Sequence, residues 1–347
     1  MTGTLTFAAT LFVAGPQRHR GHIFGGVILL VVAVVIVVLL VQRFRNRKPI
    51  AEGSPTALSH STSQAHGNGN GNVATVTVSA LTLDTPPPSG RYTLIDLARS
   101  EWTKMRTVRS TMWTIVVTVA LGLGVSAIAT AETRANWSTM SPSSIHSFDP
   151  ISLSLIGTFI AQFAIGVLGV LVVSAEYSTG TVRAVFCAAP HRRSGLLAKS
   201  LVFTVGAVVG AEFVSFASFL LGQSLLSSPA IHATLATPGA LGAVVGCGLY
   251  ISALGLLGLG LAMIIRHSAA AISTFVGILL ILPILVQALP NSIAVDVRRF
   301  MPDRIGADMI KANGSNVFSP WVGFLILVGY VVAANVIGAI LLTRRDA

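Results

Sequence analysis

Seven runs of about twenty or more apolar residues punctuate this 347-residue chain, at 22–42, 111–131, 151–174, 200–224, 239–265, 268–289 and 319–342. At 1.5 Å per residue, a helix of about 20 residues matches the roughly 30 Å hydrocarbon core of a bilayer. Lipid offers no hydrogen-bond partner to the backbone, so only helices and closed barrels cross it. Barrel strands would be shorter and would alternate polar with apolar, and no such segments occur. The expected fold class is therefore an all-α membrane protein. Composition agrees, with 53% hydrophobic and 10% charged residues against about 25% charged in ordinary chains.

The net charge of +11 matters less than its placement. When the runs alternate across a membrane, all but seven of the 23 Lys and Arg fall on one side. The seven are Arg18, Arg20, Arg134, Arg298, Arg299, Arg304 and Lys311. The positive-inside rule makes the richer side cytoplasmic. Localisation is then a plasma membrane, multi-pass, with the N-terminus outside and the C-terminus cytoplasmic. The bases sit at span ends without a nucleic-acid motif, which argues against nucleic acid as a partner. Cys187 and Cys247 lie on or near the reducing inner side and read as small core residues rather than a disulfide.

The chain divides in three. Residues 1–48 carry the extra transmembrane helix 22–42. Its basic residues, Arg43 to Lys48, follow the apolar run, as in an anchor and unlike a cleaved signal. Residues 49–90 contain Gly67-Asn-Gly-Asn-Gly-Asn72 and Pro86-Pro-Pro88 and read as a disordered cytoplasmic linker. Residues 91–347 hold six spans. Within 91–110, Leu94, Ile95, Ala98, Trp102, Met105 and Val108 recur at helical spacing. Arg99, Lys104, Arg106 and Arg109 take the other faces. Such an amphipathic helix lies in the headgroup plane, with Trp102 as its anchor and the bases near anionic lipid.

No phosphate-binding loop, metal-ligand cluster or nucleophile–base pair is present, so no catalytic and no metal residues are assigned. Gly206-Ala-Val-Val-Gly210 and Gly242-Ala-Val-Val-Gly246 are small-xxx-small motifs in consecutive spans, expected to pack within the chain. Glu212 lies about 12 residues, roughly 18 Å, into its span. An intramembrane carboxylate marks a transport pathway by default; the bland alternative is a neutral acid bonded to Gln162 or Asn335. Pro283 should kink its span. Arg266-His267 forms a tight inner turn, and the outer loop 290–318 should hold a short surface helix.

Three motifs bring a resemblance. Ser100-Glu-Trp-Thr-Lys-Met-Arg-Thr-Val-Arg-Ser-Thr111 precedes a span. Glu176-Tyr-Ser-Thr-Gly-Thr-Val-Arg183 follows the next, with Pro190-His-Arg-Arg193 after it. Phe300-Met-Pro302 and Gly306-Ala307 precede the last span. Over 91–347 the chain resembles bacterial ABC-type-2 export permeases. The resemblance implies a six-helix transmembrane domain preceded by an interfacial helix, paired with a second permease subunit as homodimer or heterodimer. It further implies an ABC ATPase subunit, which would hold ATP and magnesium; this chain itself would hold no cofactor and would not be an enzyme. The 176–196 segment would be the coupling loop, with Glu176, Tyr177, Ser178, Thr179, Gly180, Thr181, Arg183, Arg192 and Arg193 meeting the ATPase. Ser178 or Thr179 would cap a coupling helix at its start. The substrate would be amphipathic or lipid-like. Two rival readings are a proton-coupled secondary transporter using Glu212 and a membrane scaffold or sensor working through 1–90.

Overall fold

The computed structural model describes residues 93–179, 192–226, 231–311 and 319–345. The expected extra span 22–42 and linker 49–90 lie outside the described residues. Helix α1 (Leu94–Thr107) starts at a reciprocal cap. The Asp96 N–H donates to the Thr93 hydroxyl (3.3 Å), and the Thr93 N–H donates to the Asp96 carboxylate (3.1 Å). The Thr93 hydroxyl also donates to the Asp96 carboxylate at 2.6 Å, and this bond, with the one from the Thr93 N–H, holds the Asp96 carboxyl below its ordinary pKa. Extended Val108 then turns the chain into α2 (Arg109–Ala135).

Every regular element among the described residues is helical. Among the described residues, five helices are long and apolar enough to cross a membrane: Thr111–Ala135, Ser194–Leu225, Ala240–Ile265, Ser268–Gln287 and Pro320–Leu342. The described part of the chain is all-helical, with the spans of a multi-pass membrane protein. One expected span differs. The run 151–174 is not a single helix: α4 (Pro150–Ser154) ends in a turn, and α5 (Thr158–Thr179) begins after it. The short α3 (Pro142–His146) precedes them. Apolarity persists through the run, so hydropathy could not reveal the break. The cause is local crowding. A Cβ on Gly157 would fall 1.7 Å from the Gly122 carbonyl oxygen of α2, and the Gly157 N–H donates to Ser126 Oγ at 3.0 Å.

Helix α7 (Ala240–Ile265) is the centre of the bundle, with 72% of its spanning window buried against 22% for α12 (Pro320–Arg345). It packs on α5, α12 and α6 (Arg192–Leu225). It is apolar on all faces, as a surrounded helix must be. Helices α5 and α7 approach at glycines. A Cβ on Gly258 would lie 2.3 Å from the Gly166 carbonyl oxygen, and one on Gly169 would lie 2.0 Å from that of Gly255. The small-residue motifs expected to pack do not make this contact. Gly210 and Gly242 face open space, while Gly206 and Gly246 receive the methionines Met105 and Met309.

The Arg266-His267 turn is as tight as expected. Arg266 takes a left-handed backbone (φ 59°) to end α7, and the His267 ring accepts from the Ala270 N–H to start α8 (Ser268–Val276). The kink at Pro283 takes the form of a π-helical turn, Gly277–Ile281, before α9 (Leu282–Gln287). Widening the ladder there accommodates a ring that would clash with the carbonyl four residues back.

The 290–318 loop holds the expected short surface helix, α10 (Asn291–Arg298), in which only Ala294 is buried, and also a second helix, α11 (Pro302–Met309), that is seated inward. Pro302 and Ile305 to Met309 are all buried. The Tyr250 ring lies against Gly306, and Tyr330 donates to the Phe300 carbonyl at 3.1 Å. Tyr250 and Tyr330 are each ten residues into their helices, so the hairpin enters about 15 Å below the first residues of α7 and α12.

Candidate functional site

Helix α1 lies at the end of the bundle where α6 begins. The half-buried face of α1 comprises Leu97, Ala98, Glu101 and Met105, and it packs on α6. Glu101 is the pivot, with its carboxylate 3.2 Å from Lys199 Nζ and 2.5 Å from Lys104 Nζ. The Lys199 side chain is only 9% exposed, so this contact is largely shielded from screening. Trp102, Ile95 and Leu94 remain exposed beside it, where lipid would cover them, and Arg106 is exposed as well. Of the expected apolar stripe, Ala98 and Met105 lie on this half-buried face, while Leu94, Ile95, Trp102 and Val108 are exposed. The protein-facing edge, however, carries a glutamate that hydropathy alone would place in water.

Glu176, Tyr177, Ser178 and Thr179 form the last turn of α5, and Arg192 and Arg193 open α6. Ser178 therefore stands inside the end of a long helix, not at the head of a new one. Gly180, Thr181 and Arg183 lie outside the described residues. Arg109 is the first residue of α2.

Glu212 occupies a second place, midway along α6. Both carboxyl oxygens are buried without a hydrogen-bond partner. The head group fills a notch over Gly248 of α7, where a Cβ would fall 2.5 Å from Glu212 Cδ. The partners foreseen for it make their bonds to other groups, although the Asn335 Oδ1 is itself buried without a partner. Gln162 accepts from the Tyr250 hydroxyl at 2.8 Å, and Asn335 donates to the carbonyls of Leu256 and Val331.

A third place escaped the sequence reading. Thr158, Phe159, Gln162, Tyr250, Asp303, Gly306 and Ile310 line a cavity of about 20 Å³ between α5, α7 and α11. That is room for a water molecule. Asp303 Oδ1 is buried there without a partner. Burial pushes the Asp303 carboxyl up to about 6, opposed by backbone N–H donors and the nearby charges of Arg304 and Arg298. The available signal was the Gly306-Ala307 pair, since two small residues after a proline allow a helix to seat against an aromatic ring. Among the described residues no His, Cys, Asp and Glu side chains group as metal ligands.

Neither a protein-family model nor a curated protein matches this chain.

Proposed function

We propose that this chain is the membrane subunit of an ABC exporter, driven by a separate ATPase docked on the 176–196 segment. The observation that carries the reading is the Glu101–Lys199 ion pair. Lys199 lies two turns from the start of α6, the helix into which the 180–191 segment runs. Glu101 ties α1 to that base. A push on the segment would move α5, α6 and the interfacial helix as one unit. The bundle end carrying α1 would then be cytoplasmic, in line with the charge distribution, and the α11 end would face outward. A bacterial plasma membrane location and a second permease subunit belong to the same reading. The exposed apolar faces of α2 and α12 leave room for lipid or for that subunit.

The motif 176–183 and its resemblance supply the identity of the motor. The absence of a phosphate loop in the sequence fits a chain that leaves ATP hydrolysis to a partner. An amphipathic or lipid-like substrate fits a bundle whose helices are apolar over most of their exposed surface. The test is affinity purification of the full chain from its native membrane. A nucleotide-binding subunit should co-purify, and reconstituted export should require ATP. Export driven by a proton gradient alone would overturn the reading.

A second reading, proton-coupled transport, draws on the buried, unpartnered Glu212 carboxyl. The two readings separate on the energy source that export requires.

A further inference from the structure

The α10–α11 hairpin is held by identifiable contacts. Tyr330 holds the Phe300 carbonyl, Ser152 Oγ donates to the Ile310 carbonyl at 3.2 Å, and Gly306 lies against the Tyr250 ring. Apolar contacts add to the seat, through Ile305 against Gly323 and Met309 against Gly246. Into this seat the hairpin carries a carboxyl group with one oxygen buried and unbonded. A neutral acid is tolerated in such a cavity, whereas a carboxylate there lacks its water shell.

We propose that the α10–α11 hairpin is a proton-controlled gate, seated in the bundle while Asp303 is neutral and released from it when Asp303 ionises. The charged and titratable groups around Asp303 do not cancel this effect. Its own helix offers Arg304, which faces Asp308 at 3.6 Å, and Asp308 itself. Helix α10 offers Arg298, while Arg299 is paired with Asp296. Helix α7 offers the phenol of Tyr250, already donating to Gln162. Helix α12 offers the phenol of Tyr330, donating to the Phe300 carbonyl, and helix α5 lines the cavity with the neutral Thr158, Phe159 and Gln162. The cationic neighbours reduce the cost of ionisation, yet the seated Asp303 still titrates near 6. An exposed aspartate titrates near 3.9, so the ratio of released to seated hairpin should rise by up to about a hundredfold between pH 4 and 6 and level off above. Release would open the cavity between α5 and α7, and with it one end of the bundle.

The experiment uses the full chain in lipid nanodiscs, so it depends on neither orientation nor an ATPase. Ile310, buried in the cavity wall, is replaced by cysteine in a background with both native cysteines removed, Cys187→Ser and Cys247→Ala. Labelling by a maleimide is measured from pH 4.5 to 7 and normalised to the denatured protein at each pH. Normalised labelling should climb steeply toward pH 6 and then flatten. Asp303→Asn, neutral throughout, should stay protected at every pH. Gly306→Ala, which forces Tyr250 off its seat, should label at every pH, and this covers the case in which Asp303→Asn fails to fold. A pH profile that is the same with and without Asp303→Asn, or protection that persists in Gly306→Ala, would overturn the proposal.

Discussion

The Glu212 carboxyl occupies the space where a side chain on Gly248 would be, its Cδ 2.5 Å from the position of a Cβ there. Glycine is common in membrane helices, whereas a carboxyl group inside one is rare. Together they form a notch that admits a carboxyl group and gives it no hydrogen bond. Gly248 also faces away from Tyr250, two residues on and so about 200° around α7. The central helix therefore presents one acid-bearing contact on each of two opposite faces: Glu212 on one and, through Tyr250, Asp303 on the other.

Gly248→Ala should force the Glu212 side chain out of its notch and destabilise the protein by about 1–3 kcal/mol, in the range of overpacked cores. Glu212→Ala removes the obstruction, so the double variant should recover most of that loss. The check is a double-mutant cycle on thermal unfolding in detergent. Strict additivity would mean that the two side chains do not compete for the same space. Glu212→Gln keeps the shape, so it should leave stability nearly unchanged. Its transport should fall if the carboxyl serves the pathway, and unchanged transport would remove that role.

The Glu101–Lys199 pair predicts a charge-specific loss at the base of the bundle. Glu101→Gln leaves Lys199, 9% exposed, without its carboxylate. The cost should be about 2 kcal/mol, the usual scale for a shielded bond to a charged group. Glu101→Lys should cost more, and adding Lys199→Glu should restore part of it. Thermal unfolding of the four proteins at two salt concentrations decides the matter. A purely steric role for Glu101 would show no rescue by the swap.

Asp303 gives stability a pH dependence of definite sign. Its folded pKa, about 6, is above the roughly 3.9 of an unfolded aspartate, so the folded state binds the extra proton. That contribution is fully present below about pH 4. It is lost as the pH rises to 6, to a total on the order of 2–3 kcal/mol, with no further change above. Asp303→Asn should therefore flatten the melting temperature between pH 4 and 6 and raise it at pH 7. A wild-type profile that rises across that interval would contradict the assignment.

Helices that cross lipid were legible because their signal is length, which tertiary context cannot disguise. The turn at Arg266-His267 and the proline distortion at Pro283 were legible because each is local chemistry. The break at Leu155–Gly157 was not, since it follows from the approach of Gly122 on another helix. The same holds for the glycine contacts. Gly166, Gly169, Gly255 and Gly258 pair across α5 and α7 with i,i+3 spacing, whereas the i,i+4 motifs drew attention and pack elsewhere. Helix α10 is the surface helix that its charges predict, while α11 was missed for another reason. Its charges also argue for the surface, and only the seat of Gly306 on Tyr250 shows that they are carried inward. Glu212 was found by rule, but its lack of partners depends on where Gln162 and Asn335 point.

Uncoupling should map to the junction between α5 and α6. Glu176 stands in the last turn of α5, and the 180–191 segment runs into α6. Gly180 and Arg183 belong to the polar stretch between the two apolar runs, and the described core is built from α5, α7, α6 and α12. Substitutions Glu176→Ala, Gly180→Pro and Arg183→Ala should therefore leave the melting temperature within about 1 kcal/mol equivalent of wild type, as surface changes do. ATP-driven export should fall at least tenfold, either because the ATPase no longer binds or because its closure no longer moves α5 and α6. Co-purification separates the two: loss of the ATPase marks a docking residue, and retained ATPase with idle hydrolysis marks a transmitting one. If all three variants export at the wild-type rate with the ATPase bound, the segment does not receive the force.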